Sequence, residues 1–230
     1  MLQKSFKKND RQKIWRIRFA KSLFFVCNFI LVLVPTFAQE LDNNKMNFEG
    51  YSGGMMLHTG YLFGGKINMI NPQKNSNIQG FPFGIGGVLR FHFGKHLRIG
   101  GEGYSSNLQY GKNKSFLSLG WGGFLVDCHW NINKFTVFCG GTIGGGSVKN
   151  VRIINSVSAN SMDKNAIYSK YAIMLIDPFV GMEYRISRRI NLIAKVDCIV
   201  NLVQKHPDFP TGTRVYAGFV FLHTKNLIRN

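Results

Sequence analysis

The residues able to do chemistry in this sequence fall into three sets. The first is Arg90, Arg98, Glu102, Asp127, Asp177, Glu183, Arg185, Lys195, Asp197 and Arg214, which share one side of alternating segments and are balanced between bases and acids. Such a set supports three readings: a structural stack of ion pairs, the lining of a pore, or a site for a polar ligand. His58 and His92 lie on the same side with no Cys or acid at metal-ligand spacing, so no metal or other cofactor is expected. The second set is His206 and Asp208 with the serines around 147–170, the residue types of a lipid hydrolase or acyltransferase, although no spacing ties them together. The third is a group of bases in polar connections: Lys66, Lys74, Lys112, Lys114, Lys149, Arg152, Lys164 and Lys170. A basic rim attracts phosphates and acidic glycans, or is simply well solvated. The glycine clusters Gly84–Gly87 and Gly144–Gly146 lack the lysine and following helix of a phosphate loop.

The elements that position the first set are strands. From Phe81 to Phe93, the residues Phe81, Phe83, Ile85, Leu89, Phe91 and Phe93 alternate with the small or polar Pro82, Gly84, Gly86, Arg90 and His92. Period two over this length predicts a strand whose faces meet different solvents. Gly94-Lys95-His96 is a turn, and Leu97 and Ile99 restart the apolar row opposite Arg98 and Glu102. The same rhythm predicts strands over 51–63, 116–130, 135–146, 171–186, 190–201 and 213–222. In 116–130 the apolar row moves from Leu117, Leu119 and Trp121 to Phe124, Val126, Cys128 and Trp130, which predicts a β-bulge at Gly122-Gly123. Pro178 lacks an N–H, so its strand is expected to bulge there or to start later. The stretches 64–79 and 147–170 read as long polar loops.

Composition bounds the class. The chain has 230 residues and a formal net charge of +18, with 29 Lys+Arg against 11 Asp+Glu. Much of that excess precedes Ser22–Val34, an apolar run closed by Pro35-Thr36-Phe37-Ala38. Basic, apolar, then small is the order of a secretory signal, so 1–38 is expected to be a signal peptide cleaved near Ala38. A polar periplasmic leader over 39–50, a barrel over 51–222 and a tail over 223–230 complete the expected organisation. Later in the chain only Cys128, Cys139 and Cys198 remain, which is not a disulfide framework. Cys128 and Cys139 flank one turn, so either a bridge or two small apolar side chains fits. No basic-aromatic strip or recognition helix points to nucleic acid.

Two regularities select an architecture. Short and long connections alternate, which places turns at one end and loops at the other. The charges also keep to the small-residue face. In a narrow barrel the small face belongs inside, and the aromatic-rich face belongs against lipid. The reading is all-β: an eight-stranded antiparallel up-and-down transmembrane β-barrel.

The signal, the alternating segments and the two hairpins GFPFGIGGVLRFHFGKHLRIGGEGY and DPFVGMEYRISRRINLIAKVD resemble small outer-membrane β-barrels of the OmpA and OmpX type, in the form common in Bacteroidetes-like bacteria. That resemblance implies an integral outer-membrane location, insertion by the barrel-assembly machinery and a monomer in contact with outer-membrane lipid and lipopolysaccharide. It implies a structural or surface-interaction role, with lipid modification or a narrow pore as alternatives. In that family the last strand ends the chain in an aromatic residue; here Phe221 is followed by residues 222–230.

Overall fold

The computed structural model describes residues 47–66, 77–111, 114–158, 161–202, 209 and 211–224. All regular structure among them is β. The strands are β1 (Phe48–Lys66), β2 (Asn77–Gly80), β3 (Phe83–Phe93), β4 (Leu97–Tyr110), β5 (Ser115–Ile132), β6 (Phe135–Ser158), β7 (Ser161–Arg185), β8 (Ile190–Cys198), β9 (Val200–Asn201) and β10 (Thr211–Thr224). β2 and β3 form one wall interrupted at Phe81-Pro82, and both pair with β1. β8 and β9 form another, interrupted at Ile199, and both pair with β7. Each wall is antiparallel to its neighbour, and β10 returns to pair with β1 from Gly50↔Thr224 to Phe63↔Thr211. The result is a closed ring of eight walls with no free long edge around its circumference.

Side-chain direction follows the period. Even residues of β1, β3, β4, β6 and β10 and odd residues of β5, β7 and β8 point inward and are largely buried. The opposite rows are exposed and greasy: Phe83 is 62% exposed, Met55 64% and Phe124 58%. A water-soluble barrel would hide these residues; here they form the outer surface. Tight turns close one end at Gly94 (φ 57°) and Asn133 (φ 56°), both in the left-handed region.

Several expectations are corrected. β5 has no bulge at Gly122-Gly123: its register with β4 runs unbroken from Leu97↔Cys128 to Tyr110↔Ser115, and with β6 from Phe116↔Val151 to Ile132↔Phe135. Leu117, Leu119 and Trp121 therefore face inward along with Asp127, and the apolar row changes phase because the lumen itself turns apolar at that height. Pro178 neither bulges nor shortens β7. The ladder keeps its phase from Phe179↔Asp197 to Ile176↔Val200, and the missing rungs are those of Asp177 and Pro178, opposite the break at Ile199. The segment 147–170 is largely hairpin, with β6 and β7 paired up to Ser158↔Ser161. Above the apolar belt both faces of a hairpin meet polar surroundings, so the strand continues after its hydrophobic alternation has faded. β1 starts at Phe48, inside the expected leader, and β10 carries His223 and Thr224 of the expected tail. The expected signal peptide, His206 and Asp208 lie outside the described residues.

Candidate functional site

The inward rows converge on the barrel axis, so the lumen is where the sequence's ionisable residues meet. At the turn end, Ser52 Oγ and His92 Nε2 are 2.8 Å apart, and the His92 and His129 rings lie 5.7 Å from each other. Ser52 is only 1% exposed, so this pair packs as a floor beneath the charges.

The first ionic layer is built on two arginines. Arg90 Nε lies 3.0 Å from Asp127 Oδ2, and its Nη1 lies 3.0 Å from Glu183 Oε1. Arg98 repeats the pattern, with Nε 2.5 Å from Asp127 Oδ1 and Nη1 2.8 Å from the same Glu183 oxygen. Asn191 Nδ2 donates to the other Glu183 oxygen at 2.9 Å. Both guanidiniums stack on Phe138, at 4.7 and 4.9 Å from the ring centroid. Gly181 makes room for this arrangement, because a Cβ there would overlap the Phe138 ring. Charge pairing plus a π platform leaves each ion compensated in a low-dielectric interior.

The second layer centres on Lys195. Its Nζ lies 2.8 Å from Glu102 Oε2 and 3.7 Å from Asp197 Oδ2. Thr142 Oγ1 and Tyr104 OH donate to Glu102 at 2.6 and 3.2 Å. The rings of Tyr104, Phe179 and Tyr216 surround the ammonium at 4.8, 4.8 and 4.4 Å. Arg214 lies over Trp121 at 5.1 Å, and no hydrogen-bond partner for it occurs among the described residues. Asp177 is buried against Asp197, the two carboxyl groups within hydrogen-bonding reach of each other. Arg185 is the exception in the set: it ends β7 at the turn end and is exposed, so it is not a lumen residue.

Toward the loop end the lumen becomes apolar. Leu62, Ile78, Leu117, Leu119, Val148 and Leu175, from five different strands, are each at most 1% exposed and form a collar across the barrel. Sequence reasoning missed this collar because it assumed that every large apolar side chain faces outward. The burial of Leu117 and Leu119 in phase with Asp127 was the available signal.

The basic rim is only partly assembled. Lys114, Lys149 and Lys170 are exposed, whereas Arg152 is 6% exposed and turned inward, so it is not a rim residue. Lys66 is in β1 and Lys164 in β7, while Lys74 and Lys112 lie outside the described residues. Lys149 and Lys170 are direct register partners. Cys128 and Cys139 are also register partners, and both are free thiols. No group of His, Cys, Asp and Glu able to hold a metal ion occurs among the described residues.

No protein-family model matches the chain, and no curated protein matches its sequence. Solved structures do match. Neisserial surface protein A superposes with a TM-score of 0.51 at 11% identity, covering 75% of this chain and 99% of that one. The N-terminal β-barrel domain of Pseudomonas aeruginosa OprF gives a TM-score of 0.45 at 8% identity, covering 77% of this chain and 100% of its own. Ail of Yersinia pestis, solved in complex with the heparin analogue sucrose octasulfate, gives 0.45 at 10% identity, over 76% of this chain and 99% of that chain. The likeness to Neisserial surface protein A shows the fold: a closed, eight-stranded, antiparallel up-and-down β-barrel, as in small outer-membrane barrels.

Proposed function

We propose that this chain is an integral outer-membrane protein with a structural and surface-interaction role, a sealed barrel that holds the β6–β7 hairpin above the membrane. The observation that carries the reading is the inversion of the barrel: greasy side chains outside, a packed ionic stack and apolar collar inside. An exterior of this kind needs acyl chains around it, and a closed ring satisfies its backbone there. An interior of this kind offers water no continuous path, which argues against a pore. The short turns then face the periplasm and the hairpin faces outward. On this reading the barrel is a monomer inserted by the barrel-assembly machinery after cleavage near Ala38.

The hairpin supplies the interaction surface. On its β8 side, β7 pairs with β9 as far as Leu175↔Asn201 and Leu202 N–H donates to Met174 O, and the β7 segment above is exposed over 166–170. Ile167 and Tyr168 are 43% and 62% exposed on that segment. An enzymatic role for His206 and Asp208 finds no further support in the described residues.

The test combines insertion and orientation. Boiled and unboiled membrane fractions should migrate differently on a gel, as a folded barrel does. A cysteine introduced as Asn160→Cys should react with a membrane-impermeant maleimide on intact cells, in a background where Cys128, Cys139 and Cys198 are serine. A chain that stays in the soluble fraction, or a probe that reacts only after lysis, overturns the reading.

A further inference from the structure

Lys149 and Lys170 face each other directly across β6 and β7, and both are exposed on the outer side of the wall. Like charges opposite one another on an antiparallel pair destabilise it unless something offsets them. Among the described side chains, no acid on the neighbouring outward rows offsets these. The outward rows of β5, β6 and β7 carry no acid at this rung or below it, down to the register partners Phe135 and Tyr184. On β5 the register partner of Lys149 is Ser118. Tyr168 lies one rung above Lys170 on the same face and is exposed.

The height of the pair points to what covers it. From Phe135 to Lys149 the outward row rises by roughly 35 Å, at about 3.3 Å per residue and a tilt of about 40°. The apolar band of such a barrel is about 25 Å tall. The two ammonium groups therefore stand in the layer of the outer headgroups, over a wall that is uncharged all the way down. An ammonium is a compact point charge suited to a phosphate, and two of them on adjacent strands can reach the same one.

We propose that Lys149 and Lys170 clamp the phosphate of an outer-leaflet lipid headgroup, with Ser118 and Tyr168 flanking it. The clamp rests on the outer-membrane reading above and goes beyond it by naming a partner and the residues that hold it.

The test uses the folded full-length barrel in a neutral sugar detergent, with dipalmitoyl phosphatidic acid as the probe and phosphatidylcholine as the control lipid. Native mass spectrometry should show the barrel retaining phosphatidic acid, and Lys149→Gln/Lys170→Gln should retain it about tenfold less well. Lys114→Gln, at a different exposed lysine, should retain it as the parent does. Inorganic phosphate at equal concentration should leave retention unchanged, because the acyl chains lie along the greasy wall. Urea unfolding gives a second readout with a change of sign. Without phosphatidic acid the double variant should unfold at a higher urea concentration than the parent, since a repulsion has gone; with it, at a lower one. Equal retention by the double variant, an equal loss in Lys114→Gln, full displacement by inorganic phosphate, or a urea shift of constant sign would each overturn the clamp. Heat-modified migration and maleimide labelling are indifferent to these lysines, so failure of the clamp and failure of the outer-membrane reading are distinguishable.

Discussion

Glu183 holds the lumen together at the scale of a single residue. One carboxylate serves Arg90, Arg98 and Asn191, and all four side chains are buried. Glu183→Gln leaves two guanidiniums short of a counter-charge, and breaking a buried pair in this way costs about 3–5 kcal/mol. The urea midpoint of the refolded barrel should fall accordingly. Arg214 offers the contrast, since it stacks on Trp121 without an ion-pair partner among the described residues. Arg214→Met should change stability by no more than about 1 kcal/mol in the same assay, because the buried charge it removes was not compensated by a bond. Alternation in the sequence identified which ionisable groups turn inward, but not their partners. A period of two fixes a side chain's face and says nothing about which strand lies across the lumen. It placed Arg185 inside because it cannot tell a residue within the wall from one at its rim. It assigned Arg152 to the basic rim, whereas the residue is buried on the inward face of a strand whose polar sequence resembles a loop.

At the scale of the element, the β6–β7 hairpin separates into two parts. Its lower part belongs to the ring, with β5 and β8 on either side. Ile153 N–H still donates to Ser115 Oγ of β5, and above it, from Ile154↔Asn165 to Ser158↔Ser161, the hairpin has no other strand partner among the described residues. Removing 154–165 and joining Ile153 to Ala166 through an Asn-Gly turn should leave heat-modified migration intact and shift the urea midpoint by less than about 1 kcal/mol equivalent. A larger loss would mean that the upper hairpin supports the ring. Gly181 behaves in the opposite way. Gly181→Val drives a side chain into Phe138 and tilts the platform under both arginines, at a cost of about 1–3 kcal/mol in the same titration. The strands were legible wherever one face met lipid and the other the lumen, as from Phe83 to Phe93. They were illegible from Ser147 upward, where the surroundings on the two faces no longer differ. The bulge expected at Gly122-Gly123 came from the same source: a change of polarity along the lumen looks, in one dimension, like a change of phase.

For the whole molecule, the packed lumen sets the permeation behaviour. With the collar of Leu62, Leu117, Leu119 and their neighbours above two ionic layers, the purified barrel should add no conductance steps to a planar bilayer. Reproducible unitary currents would contradict the packing. The architecture as a whole was readable because its two defining properties are one-dimensional, namely the alternation of faces and of connection lengths. The axial division of the lumen into charged and apolar zones was not, because it emerges only when all walls are stacked at the correct stagger.

The seam between β1 and β10 has a bearing on time as well as on shape. Among the described strands the first closes on the last, so its hydrogen-bonding groups must wait through synthesis of everything between them. A chain stopped before Thr211 would carry two raw margins that no rearrangement of the remaining walls can hide in oil. Surveillance proteases of the cell envelope should therefore meet such fragments as substrates, while the finished ring offers them no starting point on its circumference.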